Sequence, residues 1–335
     1  MYAERLSMKI LITGVSGFVG SHVLRHLLLN TDWDITGIAS FAHKGTSKRL
    51  NTQLRQTDTS RFKLLLKDLS EPLDIKESFD YILNLASESH VDRSIESPQP
   101  FIENNVKLIL NMLEYARKYP PKKFIQISTD EVYGPAITHV HKEGEPHRPS
   151  NPYSASKAAQ EDICYAYWRT YNLPIVITNT MNIIGELQDK EKFVPMVIDK
   201  VLNNESVPIH ASADGIVGSR FYLHARNQAD ALLFLLNNHT PTPYPADDID
   251  RFNIVGEREI DNLTMAQMIA DIIGLPLKYE LIDFHSSRPG HDLRYGLNGT
   301  KLSRLGWKPP LSLEESLRST VEWEIGGYRA LHSSS

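Results

Sequence analysis

The amino-acid sequence predicts an α/β fold, with a doubly wound parallel sheet and a smaller C-terminal lobe. Strand and helix patterns alternate through the first half of the chain, which is typical of a parallel sheet with helices on both faces. The first strand, residues 9–13, is a short apolar run that stops at a glycine, as expected of a buried parallel strand. After about residue 180 the alternation weakens, which indicates a second unit.

Apolar runs and the helical spacing of apolar residues predict the individual elements. The predicted strands of the first half are residues 9–13, 34–40, 62–67, 81–86, 123–128 and 175–179. The predicted helices there are residues 21–29, 106–119 and 154–171. In the second half, helices are predicted at 194–202, 229–237 and 263–273, and extended segments at 252–255 and 278–282. We therefore predict one domain at residues 1–180, with later returns to it near 221–255, and a lobe formed mainly by residues 181–330.

The composition argues against several classes of protein. The chain has 335 residues, of which 41% are hydrophobic and 23% are charged, proportions that are ordinary for a globular protein. A formal net charge of −5 argues against a nucleic-acid partner. Because we find neither a run of eighteen apolar residues nor an apolar signal segment, we expect no membrane span and no secretion. The single cysteine, Cys164, can form no internal disulfide, and a cytoplasmic location is predicted.

Three glycines follow the first strand at a spacing of three residues: Gly14, Gly17 and Gly20. Glycine lets the backbone turn tightly and approach a pyrophosphate, whose negative charge then lies at the N-terminus of the next helix. An ordinary tight turn could use the same residues, but the position between a strand and a helix favours a dinucleotide site of the Rossmann type. Phe18 and Val19 belong to the same predicted site.

The end of the second strand is expected to contact the adenosine ribose. An acidic side chain there accepts hydrogen bonds from the 2′-hydroxyl group and disfavours a 2′-phosphate. This chain instead has Ala39 and Ser40, followed by Lys44, Lys48 and Arg49. The residues at this position therefore leave both NAD and NADP open.

Tyr153 and Lys157 are four residues apart on a predicted helix, and therefore lie on one face of it. A tyrosine with a pKa near 10 is a poor base at neutral pH, and a nearby ammonium group stabilises its phenolate. The same spacing on a solvent-exposed helix would have no catalytic meaning. In a chain that begins with a glycine-loop domain, however, the pair indicates a proton-transfer site.

The segment Thr129-Asp130-Glu131 follows the predicted strand 123–128, at the carboxyl end where parallel sheets bind ligands. A charged surface loop is the simplest explanation, but two carboxylates that directly follow a buried apolar strand need a reason to be there. Two neighbouring carboxyl groups can serve as acid and base when their surroundings separate their pKa values. The three residues are therefore candidate catalytic residues.

These motifs resemble those of the dTDP-glucose 4,6-dehydratases, which are extended short-chain dehydrogenases/reductases. The segment T-D-E-V-Y-G is the dehydratase form of its motif, and similar segments continue over nearly the whole chain. The resemblance implies that Tyr153 removes a proton from a sugar hydroxyl group and that Lys157 holds the nicotinamide ribose. It also implies that Thr129 contacts the sugar, and that Asp130 and Glu131 act as acid and base. The implied cofactor is NAD, with NADP not excluded.

The resemblance also implies two sets of binding residues. Besides the glycine loop, Ser40, Tyr153 and Lys157, the residues expected at the cofactor are Asp68, Leu69, Leu85, Ala86, Ser87 and Asn104. Besides Thr129, the residues expected at the substrate are Ser89, Asn182, Glu191, Lys192, Pro208, His210, Arg220, Asn253, Arg288, His291 and Tyr295. The resemblance implies that Arg220 pairs with a phosphate oxygen of the substrate. Arginine suits this contact because its guanidinium group can form two hydrogen bonds with phosphate oxygens.

Some residues depart from the family pattern. His210 takes the place of a usual tyrosine, extra residues precede Arg220, and an isoleucine replaces the tyrosine that normally lies between Asn182 and Gly185. These changes fall on the nucleoside side of the expected substrate site. The sequence therefore leaves the nucleotide base open between thymine, uracil and others.

The sequence therefore predicts a nucleoside-diphosphate-hexose 4,6-dehydratase, a lyase that forms a 4-keto-6-deoxy sugar by moving hydride internally from C4 to C6. A nucleotide-sugar 4-epimerase or a uronic-acid decarboxylase of the same fold is the nearest alternative, although both can work without Asp130 and Glu131. A nonenzymatic dinucleotide-binding regulatory protein is the third alternative, which the presence of Tyr153 and Lys157 disfavours.

The expected partners are a dTDP- or UDP-hexose and a second copy of the chain. The helices predicted at 106–119 and 154–171 would pair with their copies in the four-helix contact of a homodimer. We expect no nucleic-acid or membrane partner. No metal site is expected either, because His139, His141 and His147 lie in a loop that offers no matching carboxylate or cysteine set.

Overall fold

The computed structural model describes residues 7–42, 46–283 and 292–332 of the chain. Its strands are β1 (Lys9–Thr13), β2 (Asp34–Ala39), β3 (Phe62–Leu66), β4 (Tyr81–Asn84), β5 (Lys123–Thr129), β6 (Ile175–Thr180), β7 (Ile183–Ile184), β8 (Val207–Ala211), β9 (Ser219–Phe221), β10 (Leu223–His224), β11 (Asp250–Ile254), β12 (Glu259–Asp261) and β13 (Tyr279–Asp283). Its helices are α1 (Phe18–Asn30), α2 (Thr46–Leu54), α3 (Val91–Glu96), α4 (Pro98–Lys118), α5 (Pro152–Tyr171), α6 (Phe193–Leu202), α7 (Ala225–Asn238), α8 (Asn262–Ile273), α9 (Thr300–Arg304) and α10 (Leu313–His332).

Within the described residues, seven strands form one parallel sheet in the order β11-β6-β5-β4-β1-β2-β3. The central strand β1 is completely buried at Ile10, Leu11 and Ile12, as its continuous apolar run predicts. The strand order changes direction between β1 and β4, and ligands bind outside the carboxyl ends of the strands at such a point. The predicted doubly wound parallel sheet is confirmed.

Helices cover both faces of this sheet, because each buries one apolar stripe against it. Helices α1 and α7 pack on one face through side chains such as Val23 and Leu232. Helices α4 and α5 pack on the other face through side chains such as Ile109 and Trp168. The first turn of α5 lies against the 3₁₀ helix Asp130–Tyr133, which follows β5. The fold therefore places the end of β5 beside the start of α5.

A separate apolar cluster lies in the second half of the chain, where α6, α8 and α10 pack together through Val197, Ile269 and Leu317. The strand pairs β8–β13 and β9–β12 belong to this region. Strand β11 instead joins the main sheet beside β6, and α7 packs against α1. The chain therefore returns to the main sheet after it has entered the second region. The division at residue 180 stays a prediction.

The element boundaries differ from the sequence prediction mainly at the helices. Helix α4 begins at Pro98 rather than at residue 106, because a proline is well suited to the first turn of a helix. The sequence analysis does not predict α10, which buries Leu313, Leu317 and Val321 along one face. Among the helices of the described segments, none combines the length and the apolar character that crossing a bilayer requires.

Candidate active site

The glycine loop between β1 and α1 has a backbone that side chains would not permit. Gly14 has a φ angle of 71°, and a Cβ atom at Gly20 would lie 2.1 Å from the carbonyl oxygen of Gly14. Gly17 is the N-cap of α1 and offers no side chain to cap it. The loop is therefore narrow, bare and located at the positive end of a helix dipole, which are the features that a pyrophosphate needs.

A cleft with two adjoining parts extends from this loop over the carboxyl ends of the strands. Its first part is lined by residues predicted at the cofactor: Gly14, Gly17, Ser40, Asp68, Leu69, Leu85, Ala86, Ser87 and Asn104. Its second part, a cavity of about 650 Å³, is lined by the other predicted residues Phe18, Val19, Gly20, Ser89, Thr129, Tyr153, Lys157, Glu191 and Lys192. The structure thus brings the predicted cofactor residues and several predicted substrate residues into one continuous space.

The adenosine end of the cleft lies at the end of β2. The hydroxyl group of Ser40 accepts a hydrogen bond from the Ala42 amide, and the Asp68 carboxylate accepts one from the Ser70 amide. Arg49 of α2 does not stand free, because its guanidinium group donates to the Leu187 carbonyl at 3.0 Å and pairs with an aspartate of the same loop. Of the three basic residues near this position, Arg49 is therefore committed to protein contacts, and Lys44 lies outside the described residues.

The predicted acid–base segment lies directly at the end of β5. The hydroxyl group of Thr129 donates to Asp130 Oδ1 at 3.0 Å and accepts from the Glu131 amide at 3.3 Å. Burial, followed by the neighbouring Glu131 carboxylate, raises the pKa of Asp130 to about 7. Asp130 Oδ2 is buried and has no hydrogen-bond partner among the described residues. Asp130 is therefore able to carry a proton at neutral pH.

Glu131 is half-buried and has a different set of neighbours. Burial raises the pKa of Glu131, whereas a hydrogen bond from Asn151 and the charge of Arg220 lower it. The Asn151 amide nitrogen donates to Glu131 Oε2 at 3.1 Å. Asp130 and Glu131 directly follow Thr129, which lines the cavity, and the charge of Arg220 lowers the pKa of both carboxyl groups. The two carboxylates thus have unequal environments, as an acid and a base require.

Tyr153 and Lys157 lie in the first two turns of α5 and both line the cavity. Burial, and then the charges of Glu131 and Asp130, raise the pKa of Tyr153, whereas a hydrogen bond with Thr129 lowers it. Burial lowers the pKa of Lys157 to about 8. The phenol, the threonine hydroxyl and the two carboxylates therefore form one interacting group.

A chain of buried amide side chains reaches Lys157 from β1. Thr13 donates to Asn84 and Asn84 donates to Gln126, both at 2.7 Å, and Gln126 donates to Gln160 at 3.1 Å. The Lys157 ammonium donates to the same Gln160 oxygen at 2.7 Å and to the Ile127 carbonyl at 2.8 Å. The sequence analysis misses this chain, although asparagine and glutamine inside the apolar strands β4 and β5 are an available signal.

The predicted phosphate residues are not all at the cleft. Glu191 lines the cavity, and its Oε1 atom lies 2.6 Å from Nε2 of His90, another lining residue. Arg220, in contrast, donates to the carbonyls of Asp292 and Leu293 and covers the ring of Tyr295 at 4.6 Å. The Arg220 side chain thus contacts residues 292–295 in this structure. Its contact with a phosphate stays a prediction.

The structure shows contacts within the protein for several other predicted substrate residues. Asn253 is completely buried, and its amide nitrogen donates at 3.2 Å to the carbonyls of His141 and Asn298. Pro208 and His210 lie on β8, and the carbonyl of Asn182 accepts from the Leu223 amide. Arg288 and His291 lie outside the described residues. Substrate contacts of these residues remain predictions.

The expectation that no carboxylate accompanies the loop histidines is wrong. Glu145 Oε2 lies 2.7 Å from His141 Nδ1 and 3.3 Å from His139 Nε2. These three side chains form a compact group, whereas His147 contacts Glu161 instead. The two histidines and the Lys142 amide lower the pKa of Glu145 to about 2, against the effect of burial. Hydrogen bonds account for the group, and we assign no metal to it.

Comparisons with known proteins agree with the fold and the site. Residues 11–320 match the family model described as GDP-mannose 4,6 dehydratase. A dTDP-glucose 4,6-dehydratase of Salmonella typhimurium is 36% identical over 95% of this chain and 93% of its own length. The low-salt glycan biosynthesis protein Agl12 of Haloferax volcanii is 33% identical over 95% of this chain and 99% of its own length. The crystal structure of the dTDP-glucose 4,6-dehydratase DesIV of Streptomyces venezuelae, with NAD and TYD bound, has a TM-score of 0.84 and 29% identity over 97% of this chain and 98% of that chain.

The glycine loop, the parallel sheet and the Tyr153–Lys157 helix together define an extended short-chain dehydrogenase/reductase. Within that class, the chain belongs to the GDP-mannose 4,6-dehydratase family. The resemblance inferred from the sequence motifs is thereby confirmed.

Proposed function

We propose that the protein is a nucleoside-diphosphate-hexose 4,6-dehydratase, a lyase that converts a glucose-configured sugar nucleotide into the 4-keto-6-deoxy product. The observation that carries this proposal is the arrangement at the end of β5. Thr129, Tyr153 and Lys157 line a cavity that continues into the glycine-loop cleft, and Asp130 and Glu131 adjoin Thr129. Relatives at 33–36% identity that carry the dehydratase name support it.

The cofactor of this reaction is NAD, and the residues of the cleft fit it. The bare glycine loop accommodates a pyrophosphate at the start of α1, and Lys157 lies at the other end of the same cleft. Structures of relatives that contain NAD support this assignment. The chemistry that bound NAD would supply is transfer of a hydride from C4 of the sugar to C6, with no net consumption of cofactor.

Tyr153 removes the proton from the C4 hydroxyl group, and Thr129 holds the same oxygen. A phenol is a weak acid, and burial with two nearby carboxylates makes Tyr153 harder to ionise. The ammonium of Lys157, one turn further along α5, supplies the opposite charge that a phenolate needs. The hydrogen bond between Thr129 and Tyr153 aligns the two side chains at the sugar.

Glu131 and Asp130 carry out the elimination that follows. A ketone at C4 makes the hydrogen at C5 acidic, and Glu131 removes it as a proton. Asp130, whose pKa of about 7 leaves it protonated in roughly half of the molecules at neutral pH, donates a proton to the departing C6 hydroxyl group. That oxygen leaves as water. When the hydride reaches C6, Glu131 returns a proton to C5, and the proton that Tyr153 took from the C4 hydroxyl group replaces the one that Asp130 gave away. The product therefore differs from the substrate by one water molecule.

The substrate is a dTDP- or UDP-hexose, with dTDP-glucose as the first candidate because the relatives carry that name. The test is an incubation with a panel of nucleoside-diphosphate sugars, followed by mass spectrometry of the products. Loss of one water from dTDP-glucose is the expected result. An isomer of unchanged mass from any sugar would instead identify a 4-epimerase, and no change with any sugar would contradict an enzymatic role.

The functional unit that we propose is a homodimer formed through α4 and α5. Ile102 and Leu110 of α4 and Tyr171 of α5 are exposed apolar side chains on these helices. Pairing of the two helices with their copies would cover such side chains in a four-helix contact. Light scattering at micromolar concentration should give the mass of two chains, and a single-chain mass would contradict the proposal.

A further inference from the structure

The side-chain amide of Asn151 forms two hydrogen bonds, one through its oxygen and one through its nitrogen. Its oxygen accepts a hydrogen bond from the Ser154 amide at 2.9 Å, which forms the N-cap of α5. Its nitrogen donates to Glu131 Oε2 at 3.1 Å. The side chain is buried, so neither bond competes with bulk water. One amide thus connects the start of the helix that carries Tyr153 to a carboxylate at the end of β5.

We propose that Asn151 is a positioning residue for Glu131, which it holds in the orientation required for proton removal. The inference rests on the proposed dehydratase function, because it concerns the base of that reaction. A carboxylate that accepts an N–H bond keeps a fixed direction, and the bond favours its ionised form. Because Asn151 is also fixed by the helix cap, the position of Glu131 is set relative to Tyr153 rather than left to a flexible side chain.

The surroundings of Glu131 explain why such a bond is needed. Burial opposes ionisation of Glu131, and so does the charge of Asp292. Two cations, Lys192 and Arg220, act in the opposite direction, and the Asn151 bond has a larger effect on the pKa than either of them. Among the described residues, Asp130, Tyr153 and Tyr295 also have titratable groups that interact with Glu131.

Substitution of Asn151 can separate the two roles, because several residues cap helices well. Asparagine, aspartate and serine are all good N-cap residues. Asn151→Asp keeps the oxygen that caps α5 but replaces the N–H donor with a second oxygen facing Glu131. Asn151→Ser keeps a capping hydroxyl group on a shorter side chain and removes the amide nitrogen. Both variants should therefore fold, and both lose the amide donor to Glu131.

The measurement is exchange of the C5 hydrogen with solvent deuterium as a function of pH, using the sugar nucleotide that the wild-type protein dehydrates. Asn151→Ser should exchange about tenfold more slowly, the usual effect of one lost bond to a charged group. Asn151→Asp should be slower still, with its acid limb shifted up by about one pH unit. The shift is upward because Glu131 must be ionised, and a raised pKa delays ionisation to higher pH. Absorbance of reduced cofactor should show that oxidation at C4 persists.

Asp261→Ala provides a matched control for loss of a helix cap. Asp261 caps α8 through a bond from the Thr264 amide at 2.9 Å, far from Glu131 in the chain. This variant should melt about 2 °C lower without any movement of the acid limb. Wild-type exchange rates and an unshifted acid limb in both Asn151 variants would reduce Asn151 to a helix cap and overturn the inference. Absence of C5 exchange in the wild-type protein would instead contradict the proposed function itself.

Discussion

The end of β5 and the first turns of α5 face the same cavity, but they stabilise charge in different ways. At β5, Asp130 and Glu131 are acids whose pKa values burial raises, and Asn151 donates a hydrogen bond that partly restores the ionised form of Glu131. On α5, burial raises the pKa of Tyr153 and lowers that of Lys157 to about 8, so burial opposes the charged form of both groups. Lys157 still carries its proton at neutral pH, because its pKa remains above 7. The carboxylates accept hydrogen bonds from Thr129 and Asn151. The Tyr153 phenol instead has a hydrogen bond with Thr129 and the ammonium of Lys157 one turn further along α5.

The comparison shows that the two regions titrate together. After burial, the charges of Glu131 and Asp130 are the next causes of the raised pKa of Tyr153. A proton removed from either carboxylate therefore makes a proton on Tyr153 harder to remove, and apparent pKa values belong to the group. In the mechanism that we propose, C4 oxidation needs the phenolate of Tyr153, and elimination then needs one carboxylate charged and the other protonated.

The largest expected effect is the loss of Tyr153. Tyr153→Phe removes the group that takes the C4 proton, so both C4 oxidation and every later step should slow about ten-thousand-fold. Stopped-flow absorbance of reduced cofactor measures the first step. Tyr165→Phe, a change of the same kind further along α5, should retain the wild-type rate. Unchanged C4 oxidation in Tyr153→Phe would show that Tyr153 does not remove the C4 hydroxyl proton.

The second-largest expected effect is that of Glu131→Gln, which distinguishes the role of Glu131 at C5 from that of Tyr153 at C4. Glu131→Gln should still oxidise C4 at least as fast as the wild-type protein, because one charge that opposes the Tyr153 phenolate has been removed. Exchange of the C5 hydrogen with solvent deuterium should fall about a thousand-fold, since its base is lost. Mass-detected deuterium in the product is the readout. Full exchange in this variant would show that another group removes the C5 proton.

Asp130→Asn should give a smaller and later defect. C5 exchange should persist, whereas loss of water should slow about a hundred-fold, because an unprotonated hydroxyl group leaves poorly. In the wild-type protein, loss of water should decline above pH 7, where Asp130 gives up its proton. The variant should lack this decline, and a pH profile identical to that of the wild-type protein would remove Asp130 from the role of acid.

The parts of this site that the sequence predicts are those with local patterns. The glycine loop and the Tyr153–Lys157 pair each depend on spacing within a few residues, and the fold class follows from alternating elements. The bond between Asn151 and Glu131 joins residues that are 20 positions apart, so no periodicity reveals it. Asn253 is a second example, because its amide nitrogen donates to the carbonyls of His141 and Asn298, which lie 112 and 45 positions away, and its predicted substrate contact stays a prediction.

Helix α10 was missed although local signals were present. Ser312 and Glu315 form a capping box, in which the Ser312 amide donates to the glutamate and the Glu315 amide donates to the serine. Leu313, Leu317 and Val321 then follow at a spacing of four residues. Both signals are local, so the sequence alone is sufficient to predict this helix.

The smallest expected effect concerns Lys157. It tests whether the protonated form of Lys157 depends on its buried neighbour Gln160, as the ionised form of Glu131 depends on Asn151. Gln160 accepts a hydrogen bond from the Lys157 ammonium at 2.7 Å, and both side chains are buried. Gln160→Met keeps the size of the side chain but removes this acceptor, so the pKa of Lys157 should fall further below its present value of about 8. Because the ammonium must be protonated to stabilise the phenolate, activity declines as pH rises through that pKa.

The alkaline limb of C4 oxidation should therefore move down by about one pH unit in Gln160→Met, with a change of only a few fold at neutral pH. Asn227→Leu is the matched control, because it removes a buried amide that donates to the Leu311 carbonyl at 2.8 Å, away from the cleft. That control should lower thermal stability without any shift of the limb. An alkaline limb at the same pH in both variants and in the wild-type protein would show that Lys157 is held by the Ile127 carbonyl and the cofactor, and that Gln160 contributes packing only.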